Sequence, residues 1–384
     1  MDWLEGRYVT RVLHLITRFI GGGAETTVNN QIRGLLDAHR EYDVRLGFGE
    51  EYDPKRVASI EDEGVKTICF DHLRHYSLPH AFPAVVQVAR YLHRQQIQVI
   101  HTHSTEAGVI GRWAAMLART PIVLHEIHGD PITEDRHPVL NAFILIMERI
   151  SASVATRIIV KSKRIQQLFV NRRIAKEDRY ELIYHGVDLE RFKKEKPAPL
   201  PESDRELKLL FVGRLQDGKG LFDLIEAFGK LEGHDVDLLI AGDGPLKSEL
   251  DKEIAERGLE QSIHLLGYRE DVPELLAASD VLVLPSYREG TPRVISEALA
   301  SKTPVVSTRI AGIPEQVSHG ECGLLIDPGD VDALVNALSR LLDSEELRQK
   351  MSQACQSQVE RFSIEREQRE IAQLYERLLS ANES

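Results

Sequence analysis

Six short apolar runs, a break rich in charge and proline, then six more runs: this doubled rhythm limits the fold more than any single motif does. The first set comprises Val12 to Ile16, Val44 to Phe48, Thr67 to Phe70, Val99 to His101, Ile122 to His125 and Ile158 to Val160. The second comprises Leu209 to Val212, Asp237 to Ala241, Ile263 to Leu266, Val281 to Leu284, Pro304 to Ser307 and Gly323 to Ile326. Helix-like segments separate the runs. Such alternation predicts parallel sheets covered on both faces, and hence an α/β fold of two doubly wound units. A chain of 384 residues also exceeds what one core usually serves. Residues 1–190 are expected to form the first domain, the break at 191–206 the linker, and 207–362 the second domain. The last stretch, 363–384, sets Ile364, Ile371, Leu374, Tyr375, Leu378 and Leu379 at helical spacing behind Phe362. It is expected to pack back on the first domain.

Charge separates the two halves. Residues 1–190 hold 24 Lys and Arg against 24 Asp and Glu, which leaves the whole formal charge of −12 beyond residue 190. Twelve of the fifteen His fall in that neutral half, and the halves are expected to do different work. Arg164, Arg172, Arg173, Lys176 and Arg179, with Arg90, His93 and Arg94, make loose basic patches there. They read either as solvated faces or as docking points for anionic lipid, and no nucleic-acid partner is expected. Cys69, Cys322 and Cys355 are odd in number and lack ligand spacing, which argues against disulfides and against a zinc site. Met1 to Arg7 has no apolar leader core, and Ala142 to Met147 falls far short of the ~20 apolar residues that cross a bilayer. The expected location is cytoplasmic.

The sharpest chemical signal is Tyr287-Arg-Glu-Gly-Thr-Pro-Arg-Val-Ile-Ser-Glu297, which follows the Val281–Leu284 run. Pro292 suits a first helical turn, placing Glu289 in a loop and Glu297 on the helix. The amides of Gly290, Thr291 and Arg293 face the space above the helix N-terminus, where partial positive charge favours a phosphate. In Phe211-Val-Gly-Arg-Leu-Gln-Asp-Gly-Lys-Gly-Leu221, Arg214 and Lys219 flank a glycine-rich turn fit to grip a diphosphate, or else make a solvated surface turn. Backbone at Tyr268 and Arg269, past the Ile263 run, is placed either to meet a nucleobase or to make a plain turn.

In the first half, Gly21, Gly22 and Gly23 precede a helical pattern and read as a backbone anion cradle or as a bare loop. They do not form the dinucleotide fingerprint, since the glycines are adjacent. His103 and His128 end strands and are expected to face a ligand, while His101 and His125 are expected inside the sheet. A metal is disfavoured because no helical His pair and no third ligand are evident. Asp235 and Asp237 read as the solvated start of a strand.

Together, Gly21 to Glu25, His128-Gly129, His185-Gly-Val-Asp188, Gly213-Arg214 with Lys219-Gly220, Ala241-Gly-Asp-Gly-Pro-Leu246 and Glu289-Gly with Glu297-Ala-Leu-Ala300 resemble the GT-B retaining glycosyltransferases of family 4. The resemblance covers nearly the whole chain. It implies two Rossmann-like domains facing each other across a cleft, with the donor held by the second, the acceptor by the first, and a final helix crossing back. It further implies that Arg214 and Lys219 hold the donor diphosphate, that Gly290, Thr291 and Arg293 add amide contacts, and that Glu297 binds ribose hydroxyls. Glu289 would hold sugar hydroxyls, with His128, joined by His103, beside the transferred sugar. No metal or other cofactor is implied. His185 stands where the family usually has Asn, and Thr291 where an aromatic is frequent.

The expected reaction moves a hexose from a nucleotide-diphosphate sugar to a glycan or lipid-linked acceptor, with retention of anomeric configuration. Cations and a helix N-terminus would stabilise charge developing on the leaving phosphate. The rivals are a nucleotide-sugar 2-epimerase of the same architecture and a non-catalytic nucleotide-sugar-binding protein. A neutral, basic-patched acceptor domain would suit work at the inner face of the membrane.

Overall fold

The computed structural model describes residues 9–38, 41–73, 78–132, 136–194, 196–201, 203–231 and 233–383. The stretch Met1 to Arg7, and Glu195 and Glu202 of the charged break, lie outside the described residues. Two compact units emerge. One runs to Gly186 and resumes at Ile364; the other spans Val187–Ser363.

The first unit holds strands β1 (Thr10–Ile16), β2 (Tyr42–Phe48), β3 (Lys66–Cys69), β4 (Val99–His103), β5 (Ile122–Ile127), β6 (Arg157–Val160) and β7 (Tyr180–Leu182). They form one sheet in the order β3-β2-β1-β4-β5-β6-β7, parallel throughout. β1 is central, with Val12 opposite both Val44 and Val99. Its side chains alternate, so that Val12 and Ile16 join one apolar layer and Leu13 and Leu15 the other. β7 has only three residues and went unread in the sequence.

The Ile364–Glu383 helix closes the first of these layers. Ile371, Leu374, Tyr375 and Leu379 are buried in it. The helix lies so near the Gly23–Leu36 helix that a Cβ on Gly34 would meet Gln368 at 2.5 Å. Gln368 also donates to the Asn30 carbonyl at 2.9 Å.

The second unit holds β8 (Leu207–Val212), β9 (Val236–Ala241), β10 (Ile263–Gly267), β11 (Val281–Leu284), β12 (Val305–Thr308) and β13 (Gly323–Ile326). Their order is β10-β9-β8-β11-β12-β13, again all parallel. The charged break belongs to this unit. Phe192 and Ala198 are buried, and the Ala198 amide donates to the Glu274 carbonyl at 2.9 Å. The chain therefore crosses between units before its composition changes. Asp237 is not a solvated strand start but a buried carboxylate paired with Arg205 and Lys208 at 3.2 and 3.0 Å. No helix among the described residues is long and apolar enough to cross a membrane.

Candidate active site

Strand order reverses between β8 and β11 in the second sheet. At such a point, loops leaving adjacent strands diverge to opposite faces and open a crevice at the strands' carboxyl ends. The Gly213–Gly220 loop leaves β8 and the Pro285–Pro292 loop leaves β11, which brings the two predicted clamps to one crevice. They are tied by backbone. The amides of Tyr287 and Arg288 donate to the Gly218 carbonyl at 2.9 and 3.3 Å. The Tyr287 hydroxyl donates to Asp223 at 2.6 Å, which with burial pushes its pKa up to about 12. Gly220 starts the Leu221–Gly229 helix at φ 68°, and a Cβ there would lie 2.1 Å from the Pro285 carbonyl oxygen. Only glycine lets the loops approach this closely.

Lys219 Nζ sits 2.6 Å from Glu289 Oε1, which also accepts from the Ser286 hydroxyl at 2.8 Å. Arg214 is exposed, and its guanidinium makes no ion pair among the described residues. Gly290 is fixed by the Gly312 amide, which donates to its carbonyl at 2.9 Å; Thr291 beside it is buried. The Arg293–Ala300 helix begins one residue later than expected, with Pro292 as its N-cap in extended conformation. Gln316 steadies that start by donating to the Pro292 carbonyl at 3.0 Å and to Ser296 at 2.8 Å. Glu297, one turn in, lies 3.9 Å from Arg293. Burial raises its carboxyl above the usual range, against the pull of Arg293 and Arg191. Tyr268 follows β10, the edge strand two places from β8; its ring is exposed, and the neighbouring Arg269 is committed to Asp271. The crevice thus offers two cations and helix amides to an anion, and two carboxylates to hydroxyl donors.

In the first unit the order reverses between β1 and β4. Thr17 and Ser104, one from each loop, share a hydrogen bond of 2.6 Å. The cradle read from Gly21, Gly22 and Gly23 needs correction, because the chain fills part of it. Glu25 folds back and accepts from the amides of Ile20, at 2.9 Å, and of Gly21. Burial raises the Glu25 carboxyl, and these amides with Arg56 and Arg18 oppose the rise. A resident carboxylate competes there with any external anion.

His128 follows β5 and lies with Nε2 3.4 Å from Glu126 Oε1. The His185 ring stacks on it at 5.7 Å and accepts or donates to Thr27 at 2.9 Å through Nδ1. His103, expected at an accessible strand end, is instead fully buried, 3.0 Å from His14. His101 and His125 lie inside the sheet, bonded to Tyr375 and Thr102 at 3.0 Å each. Burial lowers His14 to about 4 and holds His101, His103 and His125 well below the usual imidazole value, so all four are neutral at physiological pH.

A buried charge chain beneath these rings escaped the sequence reading. Lys161 Nζ stands 3.1 Å from Glu126 and 3.0 Å from Glu367 of the last helix. Gln31 bridges the same carboxylates at 2.7 and 3.2 Å. Burial pushes the Glu126 carboxyl up, but Lys161 foremost pulls it below its ordinary value; burial likewise lowers Lys161, and the two carboxylates raise it overall. The signals were present: Glu126 interrupts an apolar strand, and Glu367 falls on the apolar face of its helix. Two clusters, His14 with His101 and His103, and His103 with Glu126 and His128, bring possible metal-ligand atoms within 4.8 Å. In the second, an ammonium already occupies the cation's place beside the carboxylate.

Residues 22–186 match the glycosyl transferase 4-like domain, and residues 192–358 match glycosyl transferases group 1. The chain is 31% identical over 327 residues to the UDP-Gal:alpha-D-GlcNAc-diphosphoundecaprenol alpha-1,3-galactosyltransferase of Escherichia coli, covering 81% of this chain and 82% of that one. It is 28% identical to the N-acetyl-alpha-D-glucosaminyl L-malate synthase of Bacillus anthracis, over 76% of this chain and 70% of that one. Its fold matches that of Anabaena HepE in complex with UDP, with TM-score 0.80 and 22% identity over 96% of this chain and 100% of that one.

Proposed function

Because the chain belongs to the group 1 glycosyltransferases, we propose that it moves a hexose from a UDP-sugar to a lipid-linked or cell-surface glycan acceptor, with retention and without a metal. The observation that supports the donor half is the crevice between β8 and β11, where the loop bearing Arg214 and Lys219 is bonded to the loop that leads into the Arg293–Ala300 helix. Breaking the anomeric bond leaves charge on the departing diphosphate. Preorganised cations and amides stabilise that charge where it develops. Glu297 takes the ribose hydroxyls, and Glu289 the sugar hydroxyls. In the free protein Glu289 already holds Lys219, so an arriving phosphate must compete for the ammonium. With those carboxylates engaged, the leaving phosphate oxygen takes the acceptor proton, which delivers the acceptor to the face the nucleotide leaves. His128 is assigned to the transferred sugar. The lipid-linked acceptor follows the E. coli relative, whose named acceptor is alpha-D-GlcNAc-diphosphoundecaprenol. We place the reaction at the inner face of the cell membrane.

The test is calorimetry with UDP, then turnover of a UDP-sugar panel followed by NMR of the product anomer. Lys219→Ala should keep the fold and lose about 2–4 kcal/mol of transition-state stabilisation, roughly 30- to 1,000-fold in kcat. Unchanged turnover at saturating donor, or an inverted product, would contradict the assignment.

A further inference from the structure

The Pro138–Val154 helix is apolar outside as well as inside. Ile144 and Ala152 face the core, and Glu148 is buried against Arg112 at 2.9 Å. On the opposite side Val139, Phe143, Ile146 and Ile150 recur at helical spacing and are 71%, 39%, 51% and 46% exposed. A row of large apolar side chains on the outer side of a helix favours burial against a protein or a membrane over water. Met116 and Leu117 are also exposed. They lie one turn beyond Trp113, whose indole donates to Ser151 of the apolar helix at 3.0 Å, so the two helices are neighbours and both present apolar side chains to solvent. Single exposed apolar side chains are ordinary, but a contiguous set on two adjoining helices marks an interaction surface.

Among the described residues, the border beside the C-terminal half of the Pro138–Val154 helix is basic. Arg149 and Arg119 are exposed on it, and Arg149 donates to the Arg172 carbonyl at 3.1 and 2.7 Å, bringing the exposed Arg173 alongside. The two helices carry only two carboxylates, the buried Glu148 and Glu106, which lies in the first turn of the Thr105–Ala118 helix, far from Met116. In a chain of net charge −12, an apolar face bordered by arginines is complementary to hydrocarbon beneath anionic headgroups. A second copy fits less well. Two-fold pairing would bring the same two helices together, and neither carries an exposed carboxylate to pair with Arg149 or Arg119.

We propose that this face docks the first unit on an anionic lipid surface, with the Pro138–Val154 helix lying in the plane of the interface. The proposal concerns the surface alone and does not depend on the acceptor. The full chain is mixed with vesicles of phosphatidylcholine, with or without phosphatidylglycerol, in the absence of acceptor and nucleotide. Expected is co-sedimentation with the anionic vesicles that weakens as salt rises. Phe143→Asp combined with Ile146→Asp should reduce it by at least about tenfold, and Arg149→Ala roughly fivefold. Thermal unfolding and UDP binding should not change in these variants; UDP binding reports on the transfer reading separately. Indifference to anionic vesicles, or binding that survives the double substitution, overturns the proposal. So does concentration-dependent dimerisation without vesicle binding, abolished by the same pair, which would give the face to a second copy.

Discussion

In the donor-binding role proposed for it, the half-buried Glu297 carboxyl would tie UDP affinity to pH. Its folded-state pKa lies above the usual carboxylate range, chiefly through burial. As a contribution to folding, that favours low pH and is lost as pH rises through the raised value. For ribose hydroxyls the sign is opposite, because only the ionised form accepts from both. UDP affinity should therefore fall as pH drops, beginning above the ~4.3 of an ordinary Glu. Calorimetry across pH should show this limb in the native protein and lose it in Glu297→Gln. Which residues carry charge into the crevice was readable, since Arg214, Lys219 and Glu289 stand beside glycines in the loops that leave β8 and β11, and Glu297 follows in the helix after the second loop. Which partners they find was not. The Lys219–Glu289 pair joins residues 70 apart, and the Glu367–Lys161 bond joins residues 206 apart.

At the scale of loops and strands, the legible part was whatever local periodicity encodes. Apolar runs gave the strands down to about four residues, and β7, with three, lay below that limit. The burial of His103 was hidden for another reason: strand ends are usually open, and here His14 of the neighbouring strand covers the ring. The two crevice loops depend on a contact that neither contains alone. Gly220→Ala should cost about 1–2 kcal/mol from its left-handed φ and more from the Pro285 carbonyl it would strike. Gly258→Ala is the control, with the same φ of 68° and open space around it. Denaturant unfolding and UDP titration should show the larger loss of stability, and at least about tenfold weaker UDP binding, only for Gly220→Ala.

Across the whole molecule, the doubled rhythm located both sheets, while the crossing at Gly186 and Ile364 followed from packing that composition does not report. The last helix is structural rather than a tail. Ile371, Leu374, Tyr375 and Leu379 are nearly inaccessible. At about 1.5–3 kcal/mol each, their burial rivals the 5–15 kcal/mol net stability of a typical domain. Removing residues 364–384 should abolish cooperative unfolding of the first unit in calorimetry and leave the second unit's transition, and its shift with UDP, in place. Retention of both transitions would show that the first sheet closes without this helix.

The same discontinuity sets an order of events during synthesis. A ribosome completes all of Val187–Ser363 before it makes the 20-residue helix that seals the earlier unit. The nascent chain thus reverses the usual sequence in which N-terminal domains finish first. Its opening half must wait, partly uncovered, until that helix emerges.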